Sequence, residues 1–124
     1  MDDIKESQED YLKAIYLISK SKKGGWVNNS EIARVMNVQP SSVTEMLYKL
    51  KKKGLIYWNP RKAIRLTHEG KHLAMETLEK YKILKKFFLN VLKIKDQGLI
   101  NQSCCKIEHH LTLDILEALK NISS

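Results

Sequence analysis

Residues 28–50 read Asn28-Asn-Ser-Glu-Ile-Ala-Arg-Val-Met-Asn-Val-Gln-Pro-Ser-Ser-Val-Thr-Glu-Met-Leu-Tyr-Lys-Leu50, and this stretch decides the fold. Asn28 with Glu31 three positions on has the form of a capping box, which opens a short helix over Ser30 to Met36. Ile32, Ala33 and Val35 supply its apolar side, and Asn37 suits the left-handed residue that ends it. Pro40 fits the first turn of the next helix, where its missing N–H costs nothing. That helix turns Ser41, Ser42, Thr44 and Glu45 outward and Val43, Met46, Leu47 and Leu50 inward. Gly54 stops it. A short helix, a tight turn through Asn37, Val38 and Gln39, and a second helix form a helix-turn-helix, and the small Ala33 lets the two helices cross closely.

The flanking sequence completes that unit. Upstream, Ser7 to about Lys20 has helical periodicity in Leu12, Ile15, Tyr16 and Ser19, with Ser7 as expected N-cap and Asp10 in the first turn. Ser21-Lys-Lys-Gly-Gly25 breaks it. Downstream, Leu55 to Trp58 and Ala63 to Leu66 read as short strands joined by a turn at Asn59-Pro-Arg-Lys62. The order of elements predicts a winged helix-turn-helix. Thr67 then caps a long helix from about His68 to Leu92, in which Gly70 and Ala74 permit close approach. Lys95 to Gly98 reads as a loop, and the amphipathic remainder, Leu99 to Ile122, as one or two helices. The fold class is mainly α, with domains expected at 1–70 and 71–124.

The 124 residues suit one compact unit or two small ones, and 43% hydrophobic content suffices for a small core. No apolar run is long enough to span a bilayer. The acidic opening, Met1-Asp-Asp-Ile-Lys-Glu6, lacks the basic-then-apolar order of a secretory signal, so a cytoplasmic chain with reduced thiols is expected. A bond between the adjacent Cys104 and Cys105 would be strained.

Net charge is +8. Between Glu45 and Glu69 there is no acid, while Lys49, Lys51, Lys52, Lys53, Arg61, Lys62 and Arg65 all fall there. A one-sign stretch on a helix-turn-helix suits a polyanion, and double-stranded DNA is the expected partner. Gln39, Pro40, Ser41, Ser42, Thr44, Glu45 and Lys49 are the candidate contacts on the second helix, whose N-terminus itself attracts phosphate. Arg61 and Lys62, at the wing tip, are placed to reach the backbone or an adjacent minor groove. Glu45 must accept from a cytosine amino group, meet a lysine or point away.

A second constellation lies in Ser103-Cys-Cys-Lys-Ile-Glu-His-His110. On a helix, Cys105, Glu108 and His109 at i, i+3 and i+4 share one face, so a thiol, a carboxylate and an imidazole converge. Such S, O and N donors together suit a divalent transition metal. Separately, each has a plainer reading: Cys105 as a small core residue, Glu108 and His109 as surface groups or a structural pair. His110 points about 100° away from His109. Cys104 reads as structural, and His68 and His72 as solvent-facing.

Glu9-Asp-Tyr-Leu-Lys-Ala-Ile-Tyr16, Val38-Gln-Pro-Ser-Ser-Val-Thr44, Gly54-Leu-Ile-Tyr57, Leu66-Thr-His-Glu-Gly70 and Ile107-Glu-His-His110 follow one another in the order and spacing of one family. The chain resembles the metal-dependent repressors of the diphtheria toxin repressor and manganese transport regulator family, in the short form without an SH3-like domain. The resemblance implies a winged-helix domain followed by a helical dimerisation domain, a homodimer, and a divalent metal that promotes binding to a near-palindromic operator. It implies a metal site of Asp10, Cys105, Glu108 and His109. Asp10 resembles manganese-type members and Cys105 iron-type ones, while Lys13 stands where manganese-type members have glutamate. Tyr81, Lys85 and Asn101 stand where the family's second metal site has its ligands, so one metal per protomer is expected. A thiolate softens the site toward Fe²⁺, Co²⁺, Ni²⁺ or Zn²⁺, whereas Mn²⁺ prefers oxygen and nitrogen. Since available metal and not affinity alone picks the effector, Fe²⁺ is expected, with Mn²⁺ a close second and Co²⁺, Ni²⁺ or Zn²⁺ able to bind in vitro. Repression of metal uptake is the implied output. The competing readings are a thiol-responsive winged-helix regulator, a protein-docking winged helix and a metalloenzyme. The last is disfavoured, because Glu-His-His is not a metalloprotease motif and no nucleophile-base pair or small-molecule substrate site is evident.

Overall fold

The computed structural model describes residues 4–59 and 63–123. Its elements are α1 (Glu6–Ser19), α2 (Asn29–Met36), α3 (Pro40–Lys52), β1 (Ile56–Trp58), β2 (Ile64–Leu66), α4 (His68–Asn90), α5 (Gln97–Ile107) and α6 (Leu113–Ser123), with 3-10 turns at Lys23–Gly25 and Glu108–His110. Contacts divide the chain into two units, Met1–Met75 and Glu76–Ser124.

The first unit is a winged helix-turn-helix. Asn28 Oδ1 accepts from Glu31 N–H at 2.9 Å while Glu31 Oε1 accepts from Asn28 N–H at 3.0 Å, so the capping box closes in both directions. Asn37 is left-handed at φ 55°, ψ 51°, and Pro40 occupies the first turn of α3, as the sequence requires. Lys22 pairs with Glu31 from outside the helix. That hydrogen bond, followed by the one from Asn28 N–H, holds the Glu31 carboxyl below its usual value.

Leu12, Ile15, Val27, Ile32, Val43, Leu47, Leu50 and Ile64 are wholly removed from solvent and form the centre of the core. β1 and β2 pair antiparallel, with Tyr57 opposite Arg65. Val27 bridges to Ile64 on the other side through two backbone bonds of 2.8 and 2.6 Å, a short third rung that the sequence did not announce. Gly70 is fixed by packing: a Cβ there would lie 2.0 Å from the Leu55 carbonyl oxygen. Thr67 Oγ1 accepts from Gly70 N–H and donates to the Gly54 carbonyl, which caps α4 and ties it to the end of α3.

Several expectations are corrected. The α1 cap is Lys5, not Ser7: its backbone is extended, and its N–H donates to Gln8 Oε1 at 3.1 Å. Val35 is 58% exposed, because the α2 face that packs inward is centred on Ile32, Ala33 and Met36, and Val35 lies about 100° around from it. Helix α4 stops at Asn90, where Val91 and Leu92 both donate to Phe87 O and Lys93 turns left-handed. Helix α5 starts at Gln97, inside the expected loop, because Asp96 Oδ1 caps it by accepting from Leu99 N–H.

The second unit is helical. Its buried cluster consists of Leu84, Ile100 and Cys104, flanked by partly buried Tyr81, Phe88, Leu89, Ile94, Leu111 and Leu119. Leu92, Leu99, Leu113, Ile115 and Ile122 remain exposed.

Candidate DNA-reading surface and metal centre

The candidate DNA contacts lie in the first unit, and the candidate metal donors are Asp10 of the first and Cys105, Glu108 and His109 of the second. On α3, Gln39, Pro40, Ser41, Ser42, Glu45 and Lys49 are all exposed, a polar surface along a helix whose opposite side fills the core. Glu45 thus points away from the packed face. Thr44 is half-buried, and its hydroxyl has partners inside the protein: it donates to the Pro40 carbonyl at 3.1 Å and accepts from Asn29 Nδ2 at 2.9 Å. Asn29 Nδ2 also approaches Pro40 O at 3.4 Å. Asn29 therefore pins the start of α2 to the first turn of α3 and sets the presentation of Ser41 and Ser42. Sequence reading missed Asn29, since nothing local links it to Thr44, fifteen residues on. Arg61 and Lys62 lie outside the described residues, as does most of the expected wing turn.

Asp10 is half-buried in α1. In the second unit, α5 ends at Ile107, and Glu108 and His109 follow in the 3-10 turn rather than on a continuing α-helix. Glu108, the C-cap of α5, still follows Cys105 by about one turn, and His109 lies in the 3-10 turn beyond it. Thr112 then begins α6, its Oγ1 accepting from Ile115 N–H.

The Glu108 side chain has no solvent exposure and that of His109 has 2%, with Nε2 and Oε1 3.6 Å apart. Cys105 is half-buried and Cys104 wholly buried in the cluster, as thiols rather than a disulfide. His110, His68 and His72 are exposed. Burying a carboxylate is costly unless charge or hydrogen bonds compensate. A buried carboxylate beside a buried imidazole, with a thiol one turn earlier, fits a divalent transition metal in donor chemistry. Elsewhere in the unit, the Tyr81 hydroxyl on α4 and Asn101 Oδ1 on α5 are joined by a short hydrogen bond.

A winged helix-turn-helix followed by a helical unit that carries such donors defines a DNA-binding regulator of the metal-responsive kind. Residues 3–64 match the model of the iron dependent repressor N-terminal DNA binding domain, and residues 67–123 match that of the iron dependent repressor metal binding and dimerisation domain. The chain belongs to the iron-dependent repressor family, whose members are transcriptional regulators and not enzymes. It is 37% identical over 115 residues to an uncharacterized HTH-type transcriptional regulator of Methanocaldococcus jannaschii, covering 93% of this chain and 90% of that one. It is 30% identical over 116 residues to the HTH-type transcriptional regulator MntR of Lysinibacillus sphaericus, covering 94% and 81%. Among solved structures, the manganese regulator SloR superposes with a TM-score of 0.77 at 30% identity over 93% of this chain. This chain spans about half (52%) of the SloR chain. No helix among the described residues is long and apolar enough to cross a membrane.

Proposed function

We propose that the protein is a cytoplasmic, homodimeric repressor of metal-ion uptake genes, switched on by one Fe²⁺ per protomer, with Mn²⁺ as second effector. The observation that carries this reading is the fully buried Glu108 carboxylate beside the buried His109 imidazole, one turn after Cys105, in a domain of the metal-binding family. Cys105, Glu108 and His109 of the second unit and Asp10 of the first are the proposed ligands, and the metal supplies a positive charge and a fixed coordination geometry. The proposed domain division remains 1–70 for DNA reading and 71–124 for metal binding and dimerisation.

Asp10 belongs to the DNA-reading half and the other three ligands to the dimerising half. Asp10, Cys105, Glu108 and His109 would hold the metal together. A conformation that brings these donors within reach of one ion would be favoured, shifting the population toward one presentation of the two recognition helices. Two such helices, related by the dimer axis, suit half-sites about one helical turn apart in a near-palindromic operator. Gln39, Pro40, Ser41, Ser42, Glu45 and Lys49 would face the groove, Arg61 and Lys62 the backbone, with Thr44 holding the helix start. The exposed apolar side chains of the second unit, Leu92 and Leu113 among them, with Phe87 and Phe88 behind, would form the dimer surface. The thiolate favours Fe²⁺, whereas the similarity to the manganese regulator SloR supports Mn²⁺. The hydrogen bond between Tyr81 and Asn101 supports a single metal per protomer, since it joins two of the three positions at which the resemblance implies a second site.

Selection of duplexes from a randomised pool, followed by anisotropy titration with Fe²⁺, with Mn²⁺ and with chelator, tests the reading. It predicts a near-palindromic consensus bound at least about tenfold more tightly with metal. Equal affinity under chelation, with Asp10→Ala indistinguishable from wild type, refutes it.

A further inference from the structure

The first unit contains a cleft of about 640 Å³ that the DNA-reading and metal-holding residues do not use. Its wall is formed by the C-terminal end of α1, the Gly24-Gly25 turn, both wing strands and the first turn of α4, and no residue of α2 or α3 lines it. We propose that this cleft is a phosphoryl-binding site.

Three lines of observation carry the proposal. The first is charge. Lys20, Arg65 and Lys71 all line the cleft, and no carboxylate does among the described residues. A concave surface with cations of one sign concentrates anions more strongly than a flat one. The second is organisation. Lys20 Nζ lies 5.0 Å from the centre of the Tyr16 ring, and the Arg65 guanidinium stacks 5.6 Å over Trp26. Aromatic faces thus hold two of the three cations at the wall, which reduces the ordering cost of binding. The third is composition. The hydroxyl-bearing rings of Tyr16 and Tyr57 line the same cleft, offering donors and flat apolar faces together. The volume falls within the range of small-molecule sites. Thr67, also in the wall, caps the 23-residue helix α4, whose positive end adds to the field. A phosphoryl group presents tetrahedral anionic oxygens to such donors and exchanges bonds with several cations at once.

The phosphoryl group has two possible sources: a free phosphorylated small molecule, or the backbone of duplex DNA beyond the bases that α3 faces. The test uses the full chain and a Lys20→Ala/Lys71→Ala double variant, with Lys82→Ala/Lys86→Ala, exposed on α4, as the charge-matched control. Circular dichroism verifies that each is folded. In the first arm, inorganic phosphate, adenosine 5′-monophosphate and adenosine are titrated by NMR. A free-ligand site gives saturable shifts at residues lining the cleft with the two phosphates and not with adenosine. Affinity then falls by roughly tenfold or more in the double variant and not in the control. In the second arm, the salt dependence of duplex binding is measured with metal-loaded protein. A backbone site gives no saturable shifts in the first arm. It gives instead a salt slope lower by about 0.9 per lost contact in the cleft variant only. Absence of both effects in a folded variant overturns the proposal. The first arm needs no duplex, so its outcome is independent of whether the protein is a metal-dependent repressor.

Discussion

The two units bury their side chains by different rules. In the first, Leu12, Ile15, Ile32, Val43, Leu47 and Ile64 close a core with no buried carboxylate among the described residues, and Asn28 and Thr67 cap the starts of α2 and α4. In the second, the buried cluster is Leu84, Ile100 and Cys104 and the Glu108 side chain is as deeply buried as any leucine, while large apolar side chains face outward as Val35, Tyr48 and Tyr57 do in the first. Leu113 is 77% exposed and Ile122 59%. On the proposed function, a unit that buries Glu108 and exposes leucines would be stabilised by a bound ion and by a second copy. The first unit is therefore a reader whose shape is set by its own sequence. On the proposed function, the second would be a sensor whose shape responds to what it binds.

That contrast can be broken most sharply in the cores. Leu47→Ala in the first unit leaves a cavity where relaxation is restricted, and denaturant unfolding should show a loss of about 2–5 kcal/mol. Gly70→Ala drives a methyl into the Leu55 carbonyl, with an expected loss of about 1–3 kcal/mol. If either change is silent, the first unit is not the self-contained body described above. In the second unit, Leu92→Ser/Leu113→Ser removes apolar surface that the folded chain leaves exposed. Sedimentation should show a dimer constant weakened by about tenfold or more, with secondary structure retained. An unchanged dimer would place its surface elsewhere.

Smaller effects rank the helix starts within the first unit. Asn28→Ala opens the capping box and should cost about 1 kcal/mol in thermal or denaturant unfolding, whereas Lys5→Ala should cost far less, its side chain making no cap. The smallest is a pH effect. Glu31 has its folded pKa held below the unfolded value by Lys22 and then Asn28. Its contribution is therefore present above the ordinary carboxylate range and is lost as pH falls through the lowered value. Glu31→Gln should make the acid limb of the stability curve slightly shallower and leave neutral DNA binding unchanged. A steeper limb would contradict the assignment.

How much of this is legible in the sequence follows the same division. The left-handed Asn37, the Asn28–Glu31 box, Pro40 and the Thr67 cap are local signals, each fixed by a few neighbouring residues. The winged helix-turn-helix follows from them. What escaped was set at long range. The Asn29–Thr44 bond joins residues fifteen apart, and Val27 pairs with a strand thirty-seven residues later. Val35 shows the limit of pattern reading on an eight-residue helix, where two turns cannot distinguish a wide apolar arc from a narrow one. Around the donors, the i, i+3, i+4 spacing drew attention to Cys105, Glu108 and His109. The break from α-helix to 3-10 turn at Glu108, followed by the Thr112 cap of α6, is encoded by no spacing rule. The basic cleft was invisible for the same reason, since Lys20, Arg65 and Lys71 come from three separate elements.

The central claim is that Glu108 and His109 are buried because they hold a metal. Its most direct test is an anaerobic titration of Fe²⁺ and Mn²⁺ into wild type and a Glu108→Ala/His109→Ala variant, read by calorimetry. The account predicts saturation at one metal per protomer in wild type, Fe²⁺ binding more tightly than Mn²⁺, and loss of that site in the folded double variant. Binding of equal stoichiometry and affinity in both proteins, or no binding in wild type, would contradict it.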